Sequence, residues 1–160
     1  MGKRAYVVAA SLLLLLAGCT PNPDDADPDG RILAALISIE AAVPAGATDR
    51  SAREVEAHWD SCDGRSETAG WTDIGVYLSF RSSVATETMR LAVGSVLANA
   101  GWSDDGSEPS PLGPTQRWRR TLADGTAARA VLAPSTQDGS AIVWQLSAVA
   151  PPHGPHVSGC

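Results

Sequence analysis

The strict alternation of Ile74, Val76, Leu78 and Phe80 with Gly75, Tyr77 and Ser79 constrains this chain more than any other feature. A period of two sends successive side chains to opposite faces of a pleated strand, so one face buries four apolar groups while the other stays open to water. Such a strand needs partners. Residues 116–122 and 126–133 supply two, because they flank Ala123-Asp124-Gly125, and Asp-Gly between strand-like runs favours a hairpin. Residues 141–150 supply a third after a turn at Asp138-Gly139, with Ile142, Trp144, Leu146 and Ala148 on one face. Residues 54–60 also alternate, setting Val55, Ala57 and Trp59 against Glu54, Glu56, His58 and Asp60. A helix competes there, since Ser51 and Glu54 form a capping box and Val55 and Trp59 stand at helical spacing.

Two segments carry the helical period. Asp27 as N-cap and Pro28 at the first helical position start a helix whose stripe is Ile32, Leu33, Leu36, Ile37 and Ile39, ending before Pro44. Ser83 is the expected cap of a second helix, in which Met89, Ala92, Val93, Val96, Leu97 and Ala100 form one buried face. Gly101 ends it, and Trp102 folds back on its last turn. Residues 103–114 are polar and rich in Gly, Ser and Pro, which predicts a loop. The order α-β-β-α-β-β-β predicts an α+β fold, a single antiparallel sheet of about five strands with two helices packed on it. A length of 160 residues with no internal repeat fits one such domain.

The N-terminus reads differently. Lys3 and Arg4 precede an apolar run over residues 5–16, then Leu16-Ala17-Gly18-Cys19. The run is shorter than the roughly 20 residues a membrane-spanning helix requires, so residues 1–18 are read as an export signal. Small residues directly before a cysteine resemble the bacterial lipobox, which implies cleavage before Cys19 and acylation of its thiol. Residues 19–30 then form an acidic, Pro-rich tether and residues 31–160 an extracytoplasmic domain. Asp25, Asp27, Asp29 and Gly30 match the first half of a calcium loop, but Leu36 stands where a bidentate Glu is required and Pro28 sits among the ligands, so tether and helix cap are preferred.

Charge narrows the function. Lys3 is the only lysine, and removing Lys3 and Arg4 takes the net charge from −6 to −8, which argues against nucleic acid as a partner. With Cys19 acylated, Cys62 and Cys160 remain, and an even pair outside the cytoplasm reads as a disulfide that pins a C-terminal tail with no other evident anchor. The competing set, His153, His156, Cys62 and Cys160 around a metal, has ligand identity alone in its favour, so no metal or other cofactor is expected. Asp60, Asp63 and Glu67 are better read as turn residues than as a glycosidase carboxylate pair, and His58 as an exposed strand residue. Arg117, Trp118, Arg119 and Arg120 form an odd cluster for an acidic domain. Arg117 and Arg119 share a strand face and are the candidate anion site; pairing with Glu54 and Glu56 is the plainer alternative. Arg120 shares the other, apolar face with Trp118 and needs a partner if it is buried.

The lipobox at residues 16–19, Trp59-Asp60-Ser61-Cys62-Asp63-Gly64, Gly70-Trp71, Ala100-Gly101-Trp102, Ala150-Pro151-Pro152 and the terminal Ser158-Gly159-Cys160 together resemble small exported lipoproteins of actinobacteria. The resemblance implies paired internal and C-terminal cysteines and brings no catalytic residues with it. No nucleophile elbow, phosphate loop, dinucleotide fingerprint or zincin helix occurs, so the expected function is that of a lipid-anchored, non-catalytic module that binds or supports an envelope protein or wall polymer. A small envelope hydrolase is the weaker alternative. Under non-reducing conditions a peptide map should recover Cys62 linked to Cys160; two free thiols would contradict the bridge.

Overall fold

A computed structural model describes residues 26–60, 68–154 and 158–159. Strands β1 (Thr48–Val55), β2 (Trp59–Asp60), β3 (Thr68–Trp71) and β4 (Ile74–Ser82) lie between helices α1 (Arg31–Ile37) and α2 (Thr86–Asn99). After α2 come β5 (Ser103–Glu108), β6 (Thr115–Thr121), β7 (Ala127–Asp138), β8 (Ala141–Ala150) and β9 (Ser158–Gly159). The main sheet has six strands in the order β1-β4-β8-β7-β6-β5, and β2-β3-β9 form a smaller one. All strand pairs are antiparallel. The α+β class therefore holds, while the expected single sheet of about five strands becomes a sheet of six plus a second of three.

The alternating positions of β4 set the register of the main sheet. Val76, Leu78 and Phe80 stand opposite Ala148, Leu146 and Trp144 of β8, and β7 continues the rows with Ala130 and Leu132. These side chains are buried, and Met89, Val93 and Leu97 of α2 with Ile32 and Leu36 of α1 cover them in one cluster. Each large aliphatic group removed from water contributes roughly 1.5–3 kcal/mol, which makes the sheet-helix contact the main source of stability. One-residue slips would turn this entire apolar set outward, so the register is firmly specified.

Both helix termini depend on particular residues. Asp27 reaches α1, its carboxylate accepting from Ile32 N–H at 2.8 Å and Leu33 N–H at 3.0 Å. It does so across a 3-10 turn, Pro28–Gly30, so the first regular helical residue comes later than expected. A second 3-10 turn, Ser38–Ala42, finishes the segment before Pro44. At the end of α2, Trp102 N–H donates to Leu97 O and Gly101 N–H to Ala98 O, each at 3.0 Å, with Gly101 left-handed at φ 85° and Trp102 buried. This is the hydrogen-bond pair of a Schellman cap.

Four expectations need correction. Ser83 does not cap α2: the N-cap position is Ala85, and no side chain bonds there. Ala92 is exposed, because the buried stripe is the narrower Met89, Val93 and Leu97. Residues 54–60 form no helix but not one strand either: β1 ends at Val55, residues 56–58 with His58 are irregular, and the segment divides between two sheets, since Val55 meets Gly75 at the end of β4 and Trp59 instead pairs with Trp71. Residues 103–108, expected as loop, form an edge strand with every side chain exposed. Backbone pairing with β6 needs no apolar side chain, and buried Gln116 secures it by donating to Asp104 Oδ1 at 3.0 Å and Gly106 O at 2.9 Å. Gly106, at φ 94°, supplies the bulge between Asp104 and Ser107.

Two glycines give opposite predictions. A Cβ on Gly101 would meet only Arg120 Nε at 3.7 Å, so Gly101→Ala should destabilise by about 1–2 kcal/mol through its left-handed backbone alone. Gly94 lies inside α2, where a Cβ would touch Trp118 at an ordinary 3.6 Å, so Gly94→Ala should stabilise by about 0.5–1 kcal/mol. Urea unfolding of both variants measures the two signs.

Candidate functional site

The helices seal one face of the main sheet and leave the other open. Register places Arg117, Val131, Ser147, Tyr77 and Arg53 in one row across that open face, from β6 to β1. The adjoining row runs Arg119, Arg129, Val149, Gly75 and Val55. A shallow groove of about 540 Å³ lies over the β1, β4 and β8 part, lined by Arg53, Tyr77, Ser51, Ser79, Gln145 and Ser147 among others. Tyr77 is the aromatic side chain most open to solvent there, at 44% exposure. Its ring leans along β4 over Gly75: a Cβ at that glycine would lie 2.7 Å from Cε2 and 3.0 Å from the hydroxyl.

The expected anion pair, Arg117 and Arg119, does share this face. Each has an acidic neighbour, supplied by β5 rather than by Glu54 and Glu56. Arg117 grips Glu108 with both guanidinium nitrogens, at 2.5 and 2.6 Å, a fork that an external anion would have to displace. Arg119 is only loosely held, 3.8 Å from Asp105 and largely exposed. Arg81, half-buried on the same face, lies 3.0 Å from Asp49 and 2.8 Å from Asp138. Its hydrogen bond to Asp138 is the main reason its pKa rises above the ordinary value. Arg53 and Arg129 form no ion pair among the described residues. Arg129 moreover stands directly opposite Arg119, a like-charge juxtaposition that disfavours the sheet. Sequence reasoning passed over Tyr77, Arg53 and Arg129, although the outward parity of strand 74–80 already carried Tyr77.

Arg120 points to the covered side but is only half-buried. It lines a cavity of about 190 Å³ with Arg31, Ile32, Leu122 and Asp124, open enough for its charge to remain hydrated.

The C-terminal tail has an anchor that the sequence concealed. His153 N–H donates to Ala26 O at 2.7 Å, and its Nε2 lies 2.6 Å from Asp124 Oδ2. Pro152 is buried, and Gly154 rests near the Trp71 ring. Ala26 is fully buried as well and Asp27 caps α1, so the chain packs against the domain already at residue 26. Partial burial pushes the Asp124 carboxyl up, and the Thr126 amide, the Thr126 hydroxyl and His153 outweigh it, leaving its pKa below the ordinary 3.8.

Cys19, Cys62, Cys160, His156, Asp63 and Glu67 lie outside the described residues. His58 is exposed, as expected, and its Nδ1 lies 3.0 Å from Thr72 Oγ1. Among the described residues no three His, Cys, Asp or Glu side chains gather as a metal site. No helix among them is long and apolar enough to cross a membrane. No known protein family, curated protein or solved structure matches the chain.

The Asp124 clasp has a definite pH signature. A carboxyl with a depressed folded-state pKa stabilises the fold above its unfolded value and loses that contribution as pH falls through the folded one. The stability difference between the wild type and Asp124→Asn should therefore be full above pH 3.8 and shrink below it. Urea midpoints across an acid pH series measure it, and a difference independent of pH would contradict the clasp.

Proposed function

We propose that the chain is a lipid-anchored extracytoplasmic module without catalytic activity, which binds or supports another component of the cell envelope. The single observation that carries this reading is the asymmetry of the main sheet, sealed by helices on one side and lined with arginines and a tyrosine on the other. Antiparallel sheets commonly leave one face to water, but uncompensated like charges on that face add nothing to stability. Arg129, which has no ion pair among the described residues and stands directly opposite the loosely held Arg119, is such a feature.

The anchor rests on the sequence: residues 1–18 as signal, Cys19 as the acylated residue, and the likeness to small exported lipoproteins of actinobacteria. Two or more acyl chains hold a domain on a bilayer firmly, whereas one gives only reversible binding. The Cys62–Cys160 bridge likewise rests on the sequence, as an even cysteine pair outside the cytoplasm. A bridge closing about 100 residues is worth roughly 4.7 kcal/mol by the chain-entropy argument.

A second reading, an anion or wall-polymer site at Arg117 and Arg119, is favoured by the loose Arg119–Asp105 contact. The Glu108 fork makes Arg117 the weaker half of that pair. Intact mass of protein extracted from its own membrane, with and without reductant, tests the main reading. It should show an acylated Cys19 and a gain of about 2 Da on reduction, the two hydrogens of one bridge; an unmodified cysteine would overturn the anchor.

A further inference from the structure

The open face is chemically uneven, and its unevenness selects a ligand. At its centre, Tyr77 offers an aromatic ring laid down along the strand over Gly75 instead of standing off the sheet. Around it the groove is lined by the Ser51, Ser79 and Ser147 hydroxyls and the Gln145 amide, groups that both donate and accept. Arg53 flanks the ring on β1, directly opposite Tyr77 in the pairing, and Arg129 lies beyond β8 on β7. Neither guanidinium has an ion-pair partner among the described residues, whereas Arg81 and Arg117 on the same face are closed by carboxylates.

We infer that this groove binds an extended acidic glycan, one sugar ring stacked on Tyr77 and its carboxylates held by Arg53 and Arg129. An aromatic face suits the apolar C–H face of a sugar ring, and the hydroxyl and amide fringe suits its hydroxyls. The two free guanidiniums supply the charge-assisted bonds that a neutral glycan leaves unmade. Three strand spacings of about 4.8 Å separate β1 from β7, so the cations stand roughly 14 Å apart and call for a chain rather than a single anion. A folded protein partner fits this face poorly, since polar and charged side chains predominate and Tyr77 is its largest exposed apolar group. The inference rests on the domain being a binding module and adds the class of ligand.

The test titrates the full mature chain, extracted in detergent, with oligogalacturonate, with its methyl ester and with monomeric galacturonate. Calorimetry should show saturable binding of the oligomer, with the ester and the monomer each weaker by about tenfold or more, the worth of a charge-assisted contact. Tyr77→Ala, Arg53→Gln and Arg129→Gln should each weaken oligomer binding by about tenfold while the cooperative thermal transition is kept, with Arg129→Gln, which relieves the repulsion from Arg119, at least as stable as the wild type. Absent binding, equal affinity for acid and ester, or variants that bind like the wild type would each overturn the inference. Tighter binding to the water-soluble headgroup glycerophosphoglycerol than to the oligomer, a readout the acyl chains of Cys19 do not enter, would overturn it in favour of a lipid headgroup. The mass of Cys19 is read independently, so failure here leaves the anchored-module reading standing or falling on its own measurement.

Discussion

The burial of one sheet face is the interaction on which the other features depend. Phe80 opposite Trp144 and Leu78 opposite Leu146 form the floor, and Met89, Val93 and Leu97 of α2 close over it with Ile32 and Leu36 of α1. Because strand side chains alternate, sealing those positions commits Tyr77, Ser79, Gln145 and Ser147 to the opposite face. The groove is thus a geometric consequence of the core. A substitution that loosened the helix layer would also disturb the positions of Arg53 and Arg129, which have no scaffold apart from the sheet.

The exposed boundaries of that sheet are handled by polar groups. Edge strand β1 is exposed except at Val55, and edge strand β5 carries Asp104, Asp105 and Glu108 with a bulge at Gly106; charge and irregularity both discourage pairing with another chain. Gln116 ties β5 inward, and Arg90 donates to its side-chain Oε1 at 3.3 Å, which links that edge to α2. At the far end of β6 the His153–Asp124 contact and the His153–Ala26 bond gather the tail, a hairpin turn and the start of the domain at one corner. Residues 26 and 153 are held there by two bonds of different kinds, a backbone hydrogen bond and a histidine–carboxylate contact.

Long-period patterns were legible in the sequence, and contacts made by single polar residues were not. β4, β6, β7 and β8, the stripe of α2 and the Gly101-Trp102 cap follow from alternation, helical spacing and the left-handed preference of glycine, all of which are local. β5 escaped because nothing in Ser103–Glu108 resembles a strand until β6 and Gln116 stand beside it. The same holds for His153, whose partner is 29 positions away, whereas Asp27 was legible as the cap of the first helix and only its reach across an intervening turn was not. For the site, Arg117 and Arg119 stood out as a cluster in sequence, yet the open-face cations without ion-pair partners among the described residues are Arg53 and Arg129, which only strand pairing brings to one face.

A working role for the open face requires that it be occupied where the protein resides. Phenylglyoxal labelling of arginines, read by peptide mass in isolated cell envelopes and again on the purified chain, tests this most directly. Occupancy predicts that Arg53, Arg119 and Arg129 are protected in the envelope and reactive once purified. Arg31, exposed beside α1 and away from that face, should react equally in both. Equal labelling of Arg53 and Arg129 in both preparations would contradict the claim that this face is the working surface of the domain.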